Sequence, residues 1–374
     1  MTTASERVPL SVPTMGEREA EYLRACIDEN WVASKGRFVR QFEELFASIH
    51  DHPQAVSAAS GTAALHLACV ALGLGPGDEV LVPALTFAAS ANAVLYTGAT
   101  AVFVDVDPGT FTIDIEKAAA KLSARTRAIM VVHLYGHPAD MDAVGELARS
   151  HDLAVIEDAT EALGSRYRGR LCGTLGDVGC FSFNGNKVIT AGGGGMVLAR
   201  DQARLDHIRH LSLQSRVPGT SEYLHDGVGF NYALSNLQAA VGLAQLERLD
   251  EFVARRRTLA GRYATELAGA PGLSFTVEAS WSESNYWLMS VLVEPTAGAR
   301  SREELMNALA VANIEARPFF TPLPQLEAYA STGSDPDDVP VSRDLHGRGV
   351  SIPSSASLDR EQQDRVIAVL VGDR

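Results

Sequence analysis

Between about residues 53 and 200, short apolar runs alternate with helix-like stretches. The runs are Glu79-Val-Leu-Val-Pro, Ala101-Val-Phe-Val-Asp, Ala128-Ile-Met-Val-Val-His, Ala154-Val-Ile-Glu-Asp, Val178-Gly-Cys-Phe-Ser-Phe and Gly195-Met-Val-Leu-Ala. Strands apolar on both sides need cover on both faces, and helices crossing over a largely parallel sheet supply it. The pattern therefore predicts an α/β domain. The alanine-rich stretch from near Thr86 and the helically spaced segment from Ala139 to Ser150 have the length of crossovers. At 374 residues the chain exceeds what one core usually holds. We expect a large α/β domain over residues 51–250 and a smaller α+β domain over 251–374. Residues 1–50 are expected to sit with the small domain and to carry a loop, Asn30 to Phe42, rich in binding-type side chains. One long helix from Ser235 to about Leu267 should link the two domains, with strands near Trp287 to Val293 and a helix near Arg302 to Val311. The turn-rich tract from Ser331 to Asp338 reads as a mobile surface loop.

Composition narrows the function classes. With 46% hydrophobic and 21% charged residues the chain is no disordered tail. Its net charge of −14 argues against a broad basic face for nucleic acid, while leaving room for a local anion site. Cys26, Cys69, Cys172 and Cys180 form no CxxC pair, which fits a reducing compartment. The first residues lack the charged-then-apolar pattern of a leader, and no apolar run approaches the roughly 18 residues of a membrane span. A cytoplasmic protein without a membrane partner is expected.

Three elements stand out as chemistry-bearing. Ser60-Gly61-Thr62 lies between an apolar run and a helix, where backbone N–H groups and hydroxyls face an anion such as a phosphate; Ser-Gly-Thr serves equally as an ordinary N-cap. Neither GxxxxGK[ST] nor a helix-opening GxGxxG is present. Phe181-Ser-Phe-Asn-Gly-Asn-Lys187 ends a strand in a polar turn with one lysine, and four glycines follow at 192–195. Apolar neighbours would desolvate that amine and lower its pKa toward the nucleophilic form. Asp158 closes an apolar run, at the strand end where ligands of α/β sheets bind, although an N-cap role reads as well there. A charged, buried aspartate needs a cationic partner, and a protonated pyridine nitrogen is one. His133 and His137 are spaced like zinc ligands but lack the HExxH glutamate and leave a strand, so no metal is assigned. No GxSxG elbow points to a hydrolase.

Taken in order, Ser-Gly-Thr, the aromatic of Leu85-Thr-Phe87, Asp158, Ser182 and Lys187 before the glycines resemble the DegT/DnrJ/EryC1/StrS sugar aminotransferases. These are pyridoxal 5′-phosphate (PLP) enzymes of fold type I, the aspartate aminotransferase-like fold, with a mostly parallel mixed sheet in the large domain. The resemblance runs from Val8-Pro-Leu-Ser-Val-Pro to Ser351-Ile-Pro. It implies that Lys187 is the internal aldimine lysine and the base that moves the proton, and that Asp158 keeps the pyridine nitrogen protonated. Phe87 would stack on the ring, Gly61, Thr62 and Ser182 would bind the phosphate, Ser60 and Asn184 would also contact the cofactor, and Glu161 would lie near the 3′-oxygen. Asn231 matches an asparagine that reaches the phosphate from a second subunit, implying a homodimer with a shared site.

The implied reaction moves an amino group from L-glutamate, through the pyridoxamine form (PMP), to a keto group of a nucleotide-linked 4-keto-6-deoxyhexose, with C4 as the carbon aminated. A 3-keto substrate is the alternative. A sugar dehydratase is disfavoured because such relatives replace the lysine with histidine, and a non-catalytic regulator leaves Lys187 and Asp158 without a role. Trp31, Ser34, Lys35, Arg37, Phe319 and Phe320 are the candidate sugar-nucleotide contacts, since aromatic and cationic groups suit bases and diphosphates. Ala233 stands where relatives often carry Arg or Lys, and Pro324 follows Pro-Leu where many carry His.

Overall fold

The structure is a computed structural model describing residues 6–294 and 300–372. Residues 1–5, read above for a leader, lie outside the described residues. In chain order the strands are β1 (Val56–Ala58), β2 (Glu79–Pro83), β3 (Thr100–Val104), β4 (Thr126–Val132), β5 (Ala154–Asp158), a short hairpin of β6 (Arg166–Tyr167) and β7 (Arg170–Leu171), β8 (Val178–Ser182) and β9 (Gly195–Ala199). β10 (Leu273–Phe275), β11 (Ser282–Glu283), β12 (Met289–Val293), β13 (Arg317–Pro318) and β14 (Gly349–Ile352) follow. Every apolar run named above is a strand.

The central sheet has seven strands in the order β1-β9-β8-β5-β4-β2-β3. Its β3-β2-β4-β5-β8 stretch is parallel, and β9 runs antiparallel to both neighbours. Burial of every residue of β1, β2, β8 and β9 is what their unbroken apolar patterns require. The C-terminal region folds around a second, antiparallel sheet, β10-β12-β14-β13, backed by the helices Arg302–Val311 and Arg360–Val371. No helix among the described residues is long and apolar enough to cross a membrane.

Two expectations are corrected, and the surface tract at 331–338 is described in finer detail. The helices α1 (Glu17–Asp28) and α2 (Arg37–Ile49), expected with the small domain, pack instead on the helix Asn236–Leu246 and on the central sheet. Phe42 packs against Phe183 at 5.0 Å and Phe46 against Phe181 at 4.9 Å, and burial of each phenyl ring contributes about 1.5–3 kcal/mol. Only the strand-like start of the segment joins the small domain, where Val8 pairs with Ile314. The single helix expected from Ser235 divides into Asn236–Leu246 and Leu249–Glu266. At Arg248 the backbone leaves helical geometry (φ −113°, ψ 12°), and its side chain reaches Glu251 and the carbonyl of Thr14. The tract at 331–338 is drawn into short 3₁₀ turns, Glu327–Thr332 and Pro336–Asp338, with Gly333 supplying a left-handed residue between them (φ 73°).

Candidate active site

Three strand ends and two helix starts converge on one cavity of about 640 Å³. Asp158 ends β5, Ser182 ends β8, and Tyr135 follows β4 in a single 3₁₀ turn, Leu134–Gly136. α3 (Gly61–Ala71) and α4 (Ala88–Leu95) point their N-termini toward the same place. The cavity thus occupies the carboxyl edge of the sheet, where parallel strands leave side chains from different crossovers side by side. From the second sheet, Arg317, Pro318, Phe319 and Ser351 complete the wall.

Lys187 projects into this cavity from the turn after β8, its side chain 13% exposed. Its Nζ lies 3.5 Å from Oε1 of Glu161 and 3.7 Å from the ring centre of Trp287. Burial pulls the amine below its usual pKa, against the opposing pull of the Glu161 and Asp158 charges. Burial likewise pushes the Glu161 carboxyl up to about 6, although Lys187 and the Tyr135 N–H favour its charged form. Two titratable groups displaced toward neutrality and in contact form a pair suited to holding and passing a proton. Tyr135 contributes its N–H to Oε2 of Glu161 at 2.7 Å from a left-handed backbone (φ 55°), a conformation rare outside glycine and asparagine.

Asp158 is buried beneath the cavity, with Oδ2 accepting from the Ser90 hydroxyl at 2.7 Å and Oδ1 from the Thr160 N–H at 3.2 Å. No basic side chain neutralises it within ion-pair distance among the described residues, as the choice of a cationic ligand ring for its partner requires. At the other end, Ser60 caps α3 by accepting from the Ala63 N–H at 3.0 Å. The cap leaves the N–H groups of Gly61 and Thr62 without intrahelical acceptors. A Cβ on Gly61 would come within 2.7 Å of Ser182 Cβ, so only glycine lets these two elements meet. This hydroxyl- and N–H-lined cradle at a helix N-terminus fits a phosphate, the buried Asp158 carboxylate with no basic side-chain partner among the described residues suits a protonated ring nitrogen, and Lys187 supplies the amine. The residues present therefore fit PLP.

Of the remaining expected site residues, Phe87 and Phe320 line the mouth with ring centres 5.7 Å apart, and Asn184 is exposed at the rim. Phe319 lines the wall but is nearly buried, packed on Tyr135 and Phe111. Asn231 is exposed and lies outside the cavity of its own chain. Trp31, Ser34, Lys35 and Arg37 also lie outside it. Their loop is pinned by Asn236, which donates to the Trp31 carbonyl and accepts from the Phe38 N–H, while Arg37 pairs with Glu29. His133 and His137 turn to protein partners: His133 Nδ1 accepts from the Ala139 N–H and its Nε2 donates to Glu157, and His137 Nε2 accepts from the Ala279 N–H.

Sequence reasoning passed over Ser90, Tyr135, Asn285, Trp287 and Arg317. In the sequence Trp287 and Arg317 are only parts of a strand and of an Arg-Pro-Phe-Phe segment; nothing local in the chain marks Ser90 or Tyr135. Among the described lining residues the formal charges are those of Glu161, Lys187 and Arg317, so the surplus acid of the chain lies elsewhere.

The model of the DegT/DnrJ/EryC1/StrS aminotransferase family matches residues 13–371. GDP-perosamine synthase of Escherichia coli O157:H7 is 42% identical over 355 residues, 95% of each chain, and that of Caulobacter vibrioides is 42% identical over 370, 97% of each. The Streptococcus pneumoniae protein Spr1654, solved in PLP and PMP forms, superposes with a TM-score of 0.92 at 27% identity, covering 98% of this chain and 97–98% of the other.

Proposed function

The chain belongs to the DegT/DnrJ/EryC1/StrS aminotransferase family, and from that premise we propose that it transfers the amino group of L-glutamate to C4 of a GDP-linked 4-keto-6-deoxyhexose. The observation that carries the reading is the meeting of Lys187, Glu161 and the Ser60-Gly61-Thr62 cradle in one cavity, with Asp158 buried close enough for its charge to act on Lys187. The identity of the nucleotide follows the two perosamine synthases.

Bound PLP supplies a protonated conjugated ring that draws electrons from the amine-bearing carbon. Gly61, Thr62, Ser60 and Ser182 hold the phosphate by hydroxyls and N–H groups, with the positive end of the α3 dipole behind them. Asp158, oriented by Ser90, keeps the pyridine nitrogen protonated. Phe87 would offer the bound ring an apolar face, and Glu161, in contact with Lys187, would hold a proton on that side of it. Lys187, whose pKa burial lowers, would take the proton from the donor's α-carbon and return it on the other side of the transfer, in both directions of the cycle. Asn231 acts at the phosphate of a second subunit, which makes the working unit a homodimer, in the cytoplasm where activated sugars are made.

The test offers the purified protein L-glutamate with GDP-, UDP- and dTDP-linked 4-keto- and 3-keto-6-deoxyhexoses, measuring 2-oxoglutarate and locating the new amine by NMR. Amination at C4 of the GDP sugar, abolished in Lys187→Ala, supports the reading. Amination at C3, or turnover that survives Lys187→Ala, overturns it.

A further inference from the structure

Trp287 is 3% exposed and every polar group it carries is engaged. Its indole N–H donates to the carbonyl of Asn186, the residue before Lys187, at 2.6 Å. The backbone N–H donates to Oδ1 of Asn285 at 2.8 Å, and the carbonyl accepts from the buried Arg256 at 2.9 Å and the Ser354 hydroxyl at 2.9 Å. Asn285 in turn donates to the carbonyls of Glu161 and Leu163, at 3.0 and 2.9 Å. A chain of hydrogen bonds from the Glu161 backbone carbonyl through Asn285 and Trp287 to the Asn186 carbonyl therefore ties together, through the tryptophan, the backbone that carries the carboxylate and the backbone beside the lysine. An indole fixed so completely cannot turn its face away from Nζ, 3.7 Å from the ring centre.

We propose that Trp287 is a positioning residue for Lys187, its indole face holding the free ammonium beside Glu161 whenever the lysine is not bonded to the cofactor. The proposal rests on the reading of Lys187 given above. An ammonium over an indole face is attracted by the ring quadrupole, most strongly when water is excluded. The interaction stabilises the protonated form and opposes the burial that drives the amine toward neutrality. It also fixes where the proton is when the nitrogen has to deliver it. The ionisable groups around Nζ are Glu161 in contact, Asp158 below, Tyr135 behind Glu161 and Arg317 across the cavity. All four remain when only the electronics of the indole change.

That separation gives the test. The full-length protein, with and without added pyridoxamine 5′-phosphate, is produced with tryptophan, 5-fluorotryptophan and more heavily fluorinated tryptophan. Lys187 is titrated by competitive acetylation read from its peptide by mass spectrometry. The other two tryptophans do not interfere, because Trp31 is exposed on its loop and Trp281 packs on Tyr167 and His137. Fluorine drains the ring face without changing its shape, so the midpoint should fall stepwise, approaching roughly one pH unit in total. Trp287→Phe should lie between wild type and Trp287→Leu. A midpoint flat across the fluorinated series overturns the proposal, and it does so without touching the transamination reading, which stands or falls on turnover by the wild-type protein.

Discussion

The backbone N–H of Tyr135 donates to Oε2 of Glu161 at 2.7 Å, from a residue held at φ 55°. A strained backbone is thus tied to a buried carboxyl whose other oxygen faces Lys187. The hydrogen bond offsets part of the cost of both. The carboxyl still titrates near 6 in the fold against an ordinary value of 4.5.

That displacement predicts a pH-dependent contribution to stability. The native state binds this proton more tightly than the unfolded chain, so the contribution is greatest below pH 4.5 and is lost as pH rises through about 6. The loss amounts to about 2 kcal/mol at ~1.4 kcal/mol per unit. Glu161→Gln has no such proton to lose. Urea unfolding of the two proteins from pH 4.5 to 7.5 should therefore show the variant gaining on wild type by up to that amount. A difference that stays constant across the range would contradict the burial argument.

Ser90 is expected to matter through Asp158 alone. Ser90→Ala removes one hydrogen bond to a buried charge, about 1.5–3 kcal/mol, and should lower kcat/KM roughly ten- to hundredfold. Asp158→Asn removes the charge itself and should cost more. Equal losses in Ser90→Ala and Asp158→Asn, or none in Ser90→Ala, would separate Ser90 from the role assigned to it.

How much of this was legible in the chain depends on where each signal lives. The seven-stranded sheet was readable because a strand buried on both faces must be apolar along its whole length, and Val178–Ser182 or Gly195–Ala199 could hardly be anything else. Lys187 and Asp158 stood out because a charge at the end of such a run is locally anomalous. Tyr135 and Ser90 carry no anomaly in their own segments. Tyr135 gains its place from a backbone conformation, and Ser90 from lying one helical turn below Thr86 and opposite β5. The break at Arg248 was invisible for the same reason: no proline or glycine marks it, and the contacts that stabilise it reach Thr14, more than two hundred residues away.

Gly61 and Ser182 form a pair that one methyl group should separate. In Gly61→Ala the new Cβ meets Ser182 Cβ at 2.7 Å and Oγ at 3.0 Å, and overpacking of this kind costs about 1–3 kcal/mol. The variant should melt lower and bind PLP more weakly in a fluorescence titration. Adding Ser182→Gly should restore part of the melting temperature while leaving cofactor affinity low, because the lost hydroxyl is also a phosphate ligand. Full recovery of both in the double variant would mean that Ser182 takes no part in binding.

Asp105 anchors the C-terminal region to the end of β3. Its fully buried carboxylate accepts from the N–H groups of Val341 and Ser342, from the Ser342 hydroxyl and from Lys117. Burial alone would raise its pKa, yet the Ser342 hydroxyl and the Lys117 ammonium hold it below the usual value. Stability from this group is therefore present above about pH 4 and lost as pH falls further. Asp105→Ala should cost about 1–3 kcal/mol at pH 7, since it leaves the Val341 and Ser342 N–H groups at the start of the helix Pro340–Arg348 without their acceptor, while Lys117 keeps Asp114 and solvent. The gap should close toward pH 3 in thermal melts, and a gap that widens on acidification would reverse the sign argued here.

Among the described residues that line the cavity, Arg317 is the cation left for the substrates once Lys187 is committed to the cofactor. It lines the cavity from β13, 63% exposed along its side chain, and its guanidinium is held by Glu315, which in turn accepts from the Leu10 N–H and Arg7. Both proposed substrates bring anions, a carboxylate pair on glutamate and a diphosphate on the sugar nucleotide, and they bind in alternation. A guanidinium can take a carboxylate or a phosphate through the same two-pronged geometry, whereas a lysine offers only a point charge. Arg317→Lys should therefore raise KM for both substrates, and Arg317→Ala should raise it further, by roughly ten- to hundredfold, with kcat changed much less. The split distinguishes binding from chemistry: a fall in kcat with KM unchanged would place Arg317 in the proton-transfer machinery instead. A rise confined to the sugar nucleotide would show that glutamate is held elsewhere.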